Sequence, residues 1–335
     1  MRLAVAIPTF NGRHLLQATL PSYAAQVESP DQLIVVDDGS TDGTVEWLRE
    51  EWPRVHIVLH SENRGITAAL NTCLEAAQEA DYVGLFNNDV ELAPGALAAL
   101  CAALDDAPEA AAVGPKMVNY FDRDVLDGTG DLYSWAGTAA RRGQWERDNG
   151  QYDQPGRVFG VCAGAAVYRS AALRVIGLFD EALFAYLEDV EWSLRANLSG
   201  HPCIYEPTAV VFHMNSATTG SRPNAFSSYH VWRNQIWIVA RHWSGFQIMR
   251  HAHLLALGQA LNASIALRRG LLPTLVRAWR DGLAGVPERR RLRRRQTRSS
   301  AGLALPRIVG FHPPWRRRTQ LNGRPAQRER TPQRD

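Results

Sequence analysis

The run Tyr82-Val83-Gly84-Leu85-Phe86-Asn87-Asn88-Asp89-Val90-Glu91 passes directly from strand-forming residues into two amides and a carboxylate. An unbroken apolar stretch of that length suits a strand buried on both faces, as in a parallel sheet. Where it stops, it presents hard oxygen ligands at the sheet edge, the place where open α/β folds bind ligands. Such oxygens suit a divalent cation holding a diphosphate. Asn and Asp after a strand are also ordinary turn formers, so the run gains meaning from two others. One is Leu33-Ile34-Val35-Val36-Asp37-Asp38-Gly39-Ser40, again a strand ending in acid; the other is the cluster Tyr186-Leu187-Glu188-Asp189-Val190-Glu191. Three acidic edges in one α/β domain point to an active site.

Outward from this run, strand patterns over 3–7, 32–36, 55–60, 82–86 and 112–118 alternate with helical patterns over 13–25, 44–51, 66–80 and 94–106. That order predicts an α/β fold, Rossmann-like, with a mostly parallel central sheet and helices on both faces. Between 119 and 156 the pattern lapses into Gly, Asp, Trp and Tyr, predicting a loop or a short antiparallel excursion, and loops of that length are commonly functional. Helical patterns return over 170–176 and 187–199. In the latter Glu188 and Asp189 fall in the first turn, where the helix dipole alone favours acids. A helix over 226–243 carries Trp232, Ile236, Val239 and Trp243 on one face, a stripe that reads as core. Amphipathic helices continue to about residue 285. The expected organisation is an α/β domain over 1–225, a helical region over 226–286 and an Arg-rich, disordered tail over 287–335.

The formal charge of +3 conceals an asymmetry: residues 1–244 hold 17 basic against 30 acidic side chains, and residues 245–335 hold 20 arginines against four acids. An acidic body and a basic tail suggest different partners. Cys73, Cys101, Cys162 and Cys203 have no metal or redox spacing and read as reduced cytosolic thiols. No secretory signal opens the chain. The apolar stretch 254–267, broken by Gln259 and Asn262, falls short of the ~20 residues a spanning helix needs.

The motifs VAIPTFNG (5–12), VVDDGSTDGT (35–44), NRG (63–65) with Asn71, LFNNDVEL (85–92), GLFDEALFAYLEDVEWSLR (177–195), His213 and Arg233-Asn234-Gln235 stand in one order. Together they resemble a family 2 glycosyltransferase of the GT-A fold, in its bacterial rhamnosyltransferase-like branch, over about residues 3–243. The resemblance implies a nucleotide-diphosphate sugar donor over the strand ends, a divalent metal (Mn or Mg) on the diphosphate, and inversion at the anomeric carbon. It places Pro8, Thr9 and Asn11 along the nucleotide, Asp38 against the pyrimidine ring NH, and Asn63, Arg64, Asn71 and Asn88 among the donor contacts. Asp89 takes the position of the metal carboxylate in a DxD motif whose other positions, Asn87 and Asn88, lack charge here. His213 joins the metal, though a lone His after an apolar strand is commonly structural. The segment Ile66-Thr67-Ala68-Ala69 departs from the branch, which has aromatic and Gly residues there. Asp189 matches the catalytic base, with Glu188 as the neighbouring alternative.

Trp192 and the loop holding Trp135 and Trp145 are candidates to stack on an acceptor sugar or simply to pack. A sugar nucleotidyltransferase would want a Gly-rich basic loop after the first strand, and a dinucleotide dehydrogenase a GxGxxG that is absent. An inactive binding protein using its basic tail stays open. The tail lacks the interleaved aromatics of a nucleic-acid platform, so no specific nucleic acid is expected. The expected acceptor is a cell-surface glycan or lipid-linked precursor. The expected location is cytoplasmic and peripheral to an anionic membrane, through Leu254, Leu255, Leu257, Leu261 and Ile265 followed by arginines.

Overall fold

Alternation within each strand divides the core in two. In β1 (Leu3–Thr9) and β2 (Leu33–Asp37), Val5, Ile7, Leu33 and Val35 face one side of the sheet, and Ala4, Ala6, Ile34 and Val36 the other. Both sets are buried, which only a sheet covered on both faces allows. A computed structural model describes residues 2–214 and 224–297. In it, α1 (Arg13–Ala24), α2 (Thr44–Glu51), β3 (His56–Leu59), α3 (Ile66–Ala76), β4 (Tyr82–Phe86), β5 (Val90–Leu92), α4 (Ala96–Asp106) and β6 (Ala112–Asn119) follow β1 and β2 in alternating order. Leu16, Leu20, Leu97, Leu100 and Leu104 of α1 and α4 cover one face; Leu70, Cys73 and Leu74 of α3 cover the other.

The excursion after β6 consists of β7 (Leu126–Gly128), which pairs back on β6, and the hairpin β8 (Asp131–Tyr133) and β9 (Ala139–Arg141). The chain re-enters through β10 (Gly156–Val158), β11 (Ala165–Arg169), α5 (Ser170–Ile176), α6 (Glu188–Leu198) and the long β12 (Cys203–His213). The order across the sheet is β10-β12-β6-β11-β4-β1-β2-β3. Only β10 and β11 on this path run against their neighbours. The fold is thus α/β with a mostly parallel sheet, as the alternation predicts. β12 follows β6 on both sides of a register shift between Glu206 and Val210, and its other edge takes β10 at its start and the short β5 at its end.

Four helices complete the described chain: α7 (Ala225–His242), α8 (Gly245–Arg250), α9 (Ala252–Arg269) and α10 (Leu272–Thr297). The last corrects one expectation. Residues 287–297 are helical, passing through Pro287, where composition suggested disorder. The first two arginines there have tertiary partners: Arg289 bonds Asp180 at 2.7 Å and lies 4.6 Å over the Trp237 ring, and Arg290 bonds the Trp243 carbonyl at 2.7 Å. The expectation of disorder over 298–335 falls outside the described residues. Among the described residues no helix is long and apolar enough to cross a membrane.

A buried ionic cluster locks α6 to α7. Glu191 accepts from Arg195 at 3.0 Å, from His242 at 2.8 Å, and lies 3.1 Å from Arg241. Burial alone would push the Glu191 carboxyl up, but Arg195 and Arg241, with His242, outweigh it and hold it well below the usual range. A depressed carboxyl stabilises the fold fully above its ordinary pKa, and that contribution drains away as pH falls toward the folded value. Glu191→Ala, which leaves the cations without their carboxylate, is expected to cost about 3–5 kcal/mol at neutral pH. In urea unfolding the gap between variant and wild type should shrink as pH drops below the ordinary glutamate range; a constant gap would deny the ionic origin.

Candidate active site

The C-terminal ends of β1, β2 and β4 converge, and their polar residues bond to one another. Thr9 ends β1, next to Pro8, and its Oγ1 accepts from Asn88 Nδ2 at 2.8 Å; Thr19 of α1 holds the Asn88 carbonyl at 2.9 Å. No side chain fits at Gly12, where a Cβ would lie 2.1 Å from Asn88 Nδ2. Asn11 bridges to the next loop, its amide NH donating to Ser40 Oγ at 2.8 Å and its Oδ1 accepting from Thr41 NH at 2.8 Å.

Asp38 is buried and occupied. Its Oδ1 receives the Arg64 NH at 2.9 Å and lies 2.7 Å from His60 Nδ1, while its Oδ2 receives the Gly65 NH at 3.0 Å. Asn63 and Arg64 are exposed on that same loop, with Arg64 reaching 3.5 Å from Glu181. Asn71 does not join the strand-end cluster. Its amide bonds both backbone groups of Phe179 and the Glu181 carboxylate, pinning that segment to α3.

Asp89 and His213 are brought together by strand pairing. Val90 of β5 pairs with His213 of β12, and the Met214 NH donates to the Asp89 carbonyl at 2.9 Å. His213 Nε2 then lies 3.4 Å from Asp89 Oδ2, while Asp89 Oδ1 is buried without a partner. His213 Nδ1 bonds Asp127 at 2.7 Å, so its Nε2 is directed toward Asp89. Burial would lower the His213 pKa, but Asp127 and Asp89 raise it to about 9. An orphaned carboxylate oxygen beside an imidazole braced by a second carboxylate fits one side of a divalent cation site. Among the described residues no group of three such side chains could hold a metal alone, so the remaining ligands would come from the donor and water.

Asp127 continues the line to the other acids. Arg141 donates to Asp127 at 2.7 Å and to Cys162 Sγ at 3.0 Å, and across the β8–β9 ladder it stands opposite Asp131. Its charge also acts on Asp189. Asp189 accepts the Val190 NH at 2.8 Å at the head of α6, and Glu188 Oε2 and Asp131 Oδ2 are buried without partners. Burial pushes all three carboxyls up; the Asp189 charge adds to this at Asp131 and Glu188, each raised to about 8, and Arg141 offsets part of it at all three. Asp127, Asp131 and Arg141 were not singled out from sequence; the available signal was only that 119–156 is long and rich in Asp and Gly.

The chain reaches α6 through a strained approach. Phe184, Tyr186 and Leu187 all have positive φ, at 63°, 64° and 68°, a conformation costing of order 1–3 kcal/mol for each non-glycine residue. Trp192 is not an acceptor platform: it is fully buried against Tyr168 and Phe179, with its NH on the Gly177 carbonyl at 2.8 Å. Trp135 is half-buried and stacks on His251 at 4.1 Å.

The model of glycosyl transferase family 2 matches residues 4–177, just over half the chain. An N-acetylglucosaminyl-diphospho-decaprenol L-rhamnosyltransferase of Mycobacterium tuberculosis is 28% identical over 289 residues, covering 80% of this chain and 91% of that one. The putative teichuronic acid biosynthesis glycosyltransferase TuaG of Bacillus subtilis is 36% identical over 90 residues, 26% of this chain and 35% of its own. Among solved structures, GalNAc-T7 with UDP, GalNAc and Mn2+ superposes with a TM-score of 0.59 at 16% identity, over 74% of this chain and 49% of that chain. S. aureus TarS 1-349 superposes at 0.54 and 19% identity, over 89% and 85%.

The carboxyl cluster has a measurable signature. With Asp131 raised to about 8 in the folded chain, the unfolded chain releases that proton near the ordinary Asp value of about 4 while the folded chain keeps it. Stability therefore falls as pH rises between these values. Asp131→Asn, which removes the ionisation, should melt at a higher temperature than wild type at pH 8 and at nearly the same temperature at pH 4. A variant destabilised equally at both pH values would show that Asp131 is held by hydrogen bonds rather than burdened by charge.

Proposed function

Because the chain belongs to glycosyl transferase family 2 and has the GT-A fold, we propose that it is an inverting, metal-dependent enzyme. It moves a sugar, rhamnose in the favoured reading, from a nucleotide diphosphate to a hydroxyl of a lipid-linked glycan precursor. The observation that carries this reading is the line of contacts from Asp89 through His213 and Asp127 to Arg141, whose charge acts on Asp189. It joins a half-formed cation site to a buried carboxylate at a helix head. The rhamnosyltransferase relative, aligned over most of both chains, supports the donor and acceptor class.

In this reading the nucleotide lies over Pro8, Thr9 and Asn11, with Asp38 shaping the base end and Asn63 and Arg64 on the adjoining exposed loop. Asn88 keeps the β1 and β4 ends in register through Thr9. Asp89 Oδ1 and His213 Nε2 would hold Mn or Mg, which when bound offsets the charge of the departing diphosphate. Asp189 accepts the proton of the acceptor hydroxyl as its oxygen bonds the anomeric carbon and the bond to the diphosphate breaks from the opposite face. Burial, which raises the Asp189 pKa against the pull of Arg141, strengthens it as a base. Glu188, raised to about 8 beside it, keeps its proton and limits the charge in the pocket.

The helical region supplies the acceptor's surroundings. Of the stripe expected to face a membrane, Leu255 and Ile265 pack inward and Leu257 is exposed; the other exposed apolar side chains of α8 to α10 are Phe246, Met249, Leu267, Leu272, Val276 and Leu283. Leu272, Val276 and Leu283 share one face of α10, with exposed Arg277 and Arg280 on the same helix and Arg268 and Arg269 at the end of α9. Apolar residues flanked by arginines are the composition of an interfacial surface, and each arginine near an anionic leaflet contributes about 1 kcal/mol, screened by salt.

Transfer from dTDP-rhamnose to an N-acetylglucosaminyl-diphospho-prenol should require Mn²⁺ or Mg²⁺ and stop in excess EDTA. Asp189→Asn should lower kcat by about 10²–10⁴-fold while leaving donor-induced thermal stabilisation in place. Loss in Glu188→Gln instead would move the base by one residue, and full activity in EDTA would remove the metal. A panel of nucleotide sugars in thermal-shift assays identifies the donor, since the right one stabilises the folded chain by mass action.

The membrane reading is tested by flotation. The full chain should rise with phosphatidylglycerol vesicles at low salt, less at high salt, and not with phosphatidylcholine alone. Combined Leu267→Ser, Val276→Ser and Leu283→Ser should weaken flotation. Unchanged flotation in that variant would reduce the association to the charge of the tail.

A further inference from the structure

The segment entering α6 has nearly all its carbonyls taken by groups from elsewhere in the fold, and two adjacent side chains of α7 take most of them. Asn234 Nδ2 donates to the carbonyls of Leu183 at 3.1 Å, Ala185 at 3.0 Å and Tyr186 at 2.7 Å. Arg233 donates to Leu183 at 2.8 Å and Ala182 at 3.2 Å. The Phe184 carbonyl accepts the Thr67 NH of α3 at 3.2 Å, and the Leu187 carbonyl begins α6 by accepting the Glu191 NH at 2.9 Å. Within this run lie the positive-φ residues Phe184, Tyr186 and Leu187. Such a backbone persists only where its surroundings over-determine it, and here the determinant is one amide and one guanidinium.

The two donors form a unit. Asn234 Oδ1 accepts from Arg233 Nε at 3.0 Å and from a terminal nitrogen at 2.9 Å, which fixes the amide with its NH2 toward the loop. Arg233 is itself set between the rings of Trp237, 4.2 Å away, and Tyr229, 5.3 Å away. Asn234 is completely buried and Arg233 nearly so. Neither touches Glu188 or Asp189. Both govern the backbone from which those carboxylates project.

We propose that Asn234, oriented by Arg233, is a positioning residue for the transfer reaction: it holds the 183–187 backbone in its left-handed path so that Asp189 stands at the head of α6 facing the sheet edge. This rests on Asp189 being the base. Aspartate in place of Asn234 would present oxygen to three carbonyl oxygens, and alanine would leave them without donors. Either way the strain is released by a backbone shift that moves Asp189 while the two core layers of the sheet stay intact. A displacement of about 1 Å at a reacting group is enough to cost about 10²-fold in rate.

The experiment compares full-length Asn234→Ala and Arg233→Lys with wild type and Asp189→Asn. In hydrogen–deuterium exchange, amides over 183–191 should exchange faster in Asn234→Ala while those of β1, β4 and β6 are unchanged. In the dTDP-rhamnose assay kcat should fall by about 10²-fold with donor KM unchanged, and the carboxyl ¹³C titration of Asp189 should move down toward the ordinary aspartate range as the loop opens to water. Wild-type exchange over 183–191, or wild-type kcat together with an unshifted Asp189 titration, would overturn the proposal. If Asp189→Asn retains full turnover, the base assignment fails, and the exchange data still decide whether Asn234 holds the loop. Should Asn234→Ala not fold, Arg233→Lys, which keeps the charge but not the planar fork, must show the same local exchange and kcat loss; wild-type values there would refute the role.

Discussion

One guanidinium makes the site possible. Arg141, itself partly exposed, bonds the buried Asp127 at 2.7 Å, pairs across a two-stranded ladder with the buried Asp131 and exerts its charge on Asp189. Buried carboxylates at this density would be expelled or neutralised without a counter-charge. The compensation is deliberately incomplete: Asp127 is held ionised well below the usual range, whereas Asp131 and Glu188 are pushed up. Groups of one chemical type thereby differ in how readily they ionise, the condition that the proposed roles of cation support and proton acceptor require.

The proposed cation side and the proposed base side are built by different devices. Asp89 and His213 meet because β5 and β12 pair, so backbone hydrogen bonding sets their separation. Asp189 is placed by a strained loop whose geometry is imposed by a helix from the far end of the domain. The first device tolerates little motion. The second stores strain beside the carboxylate proposed as the base.

The C-terminal helices are tied to that loop and are not a loose appendage. Asp180 receives Arg241 of α7 and Arg289 of α10, and Glu191 gathers Arg195, Arg241 and His242. The buried faces of α7 and α10 are thereby committed to the catalytic domain, leaving the apolar side chains of α10 that face outward available to an external surface.

Much of the architecture was legible in one dimension. The apolar strands and the helices between them announce themselves by period, because a two-sided sheet needs continuous apolar strands and its covering helices need one apolar face. Asp89 stood out because it follows the end of such a strand, whereas the roles expected of Asp189 and His213 came from the resemblance of their motifs to the family. Tertiary structure decided the rest. Asp127, Asp131 and Arg141 lie in a stretch without periodicity, and their meeting depends on which strand β7 pairs with and on the register of the β8–β9 ladder. Trp192 stood between a sugar platform and core packing until the fold buried it, and the arginines after Pro287 looked solvated until Asp180 and Trp237 gave the first of them partners. Local sequence specifies hydrogen bonds and faces over a few residues. Which charges share one dielectric pocket is set by contacts between residues far apart in the chain, such as Asp89 with His213, and no local pattern encodes them.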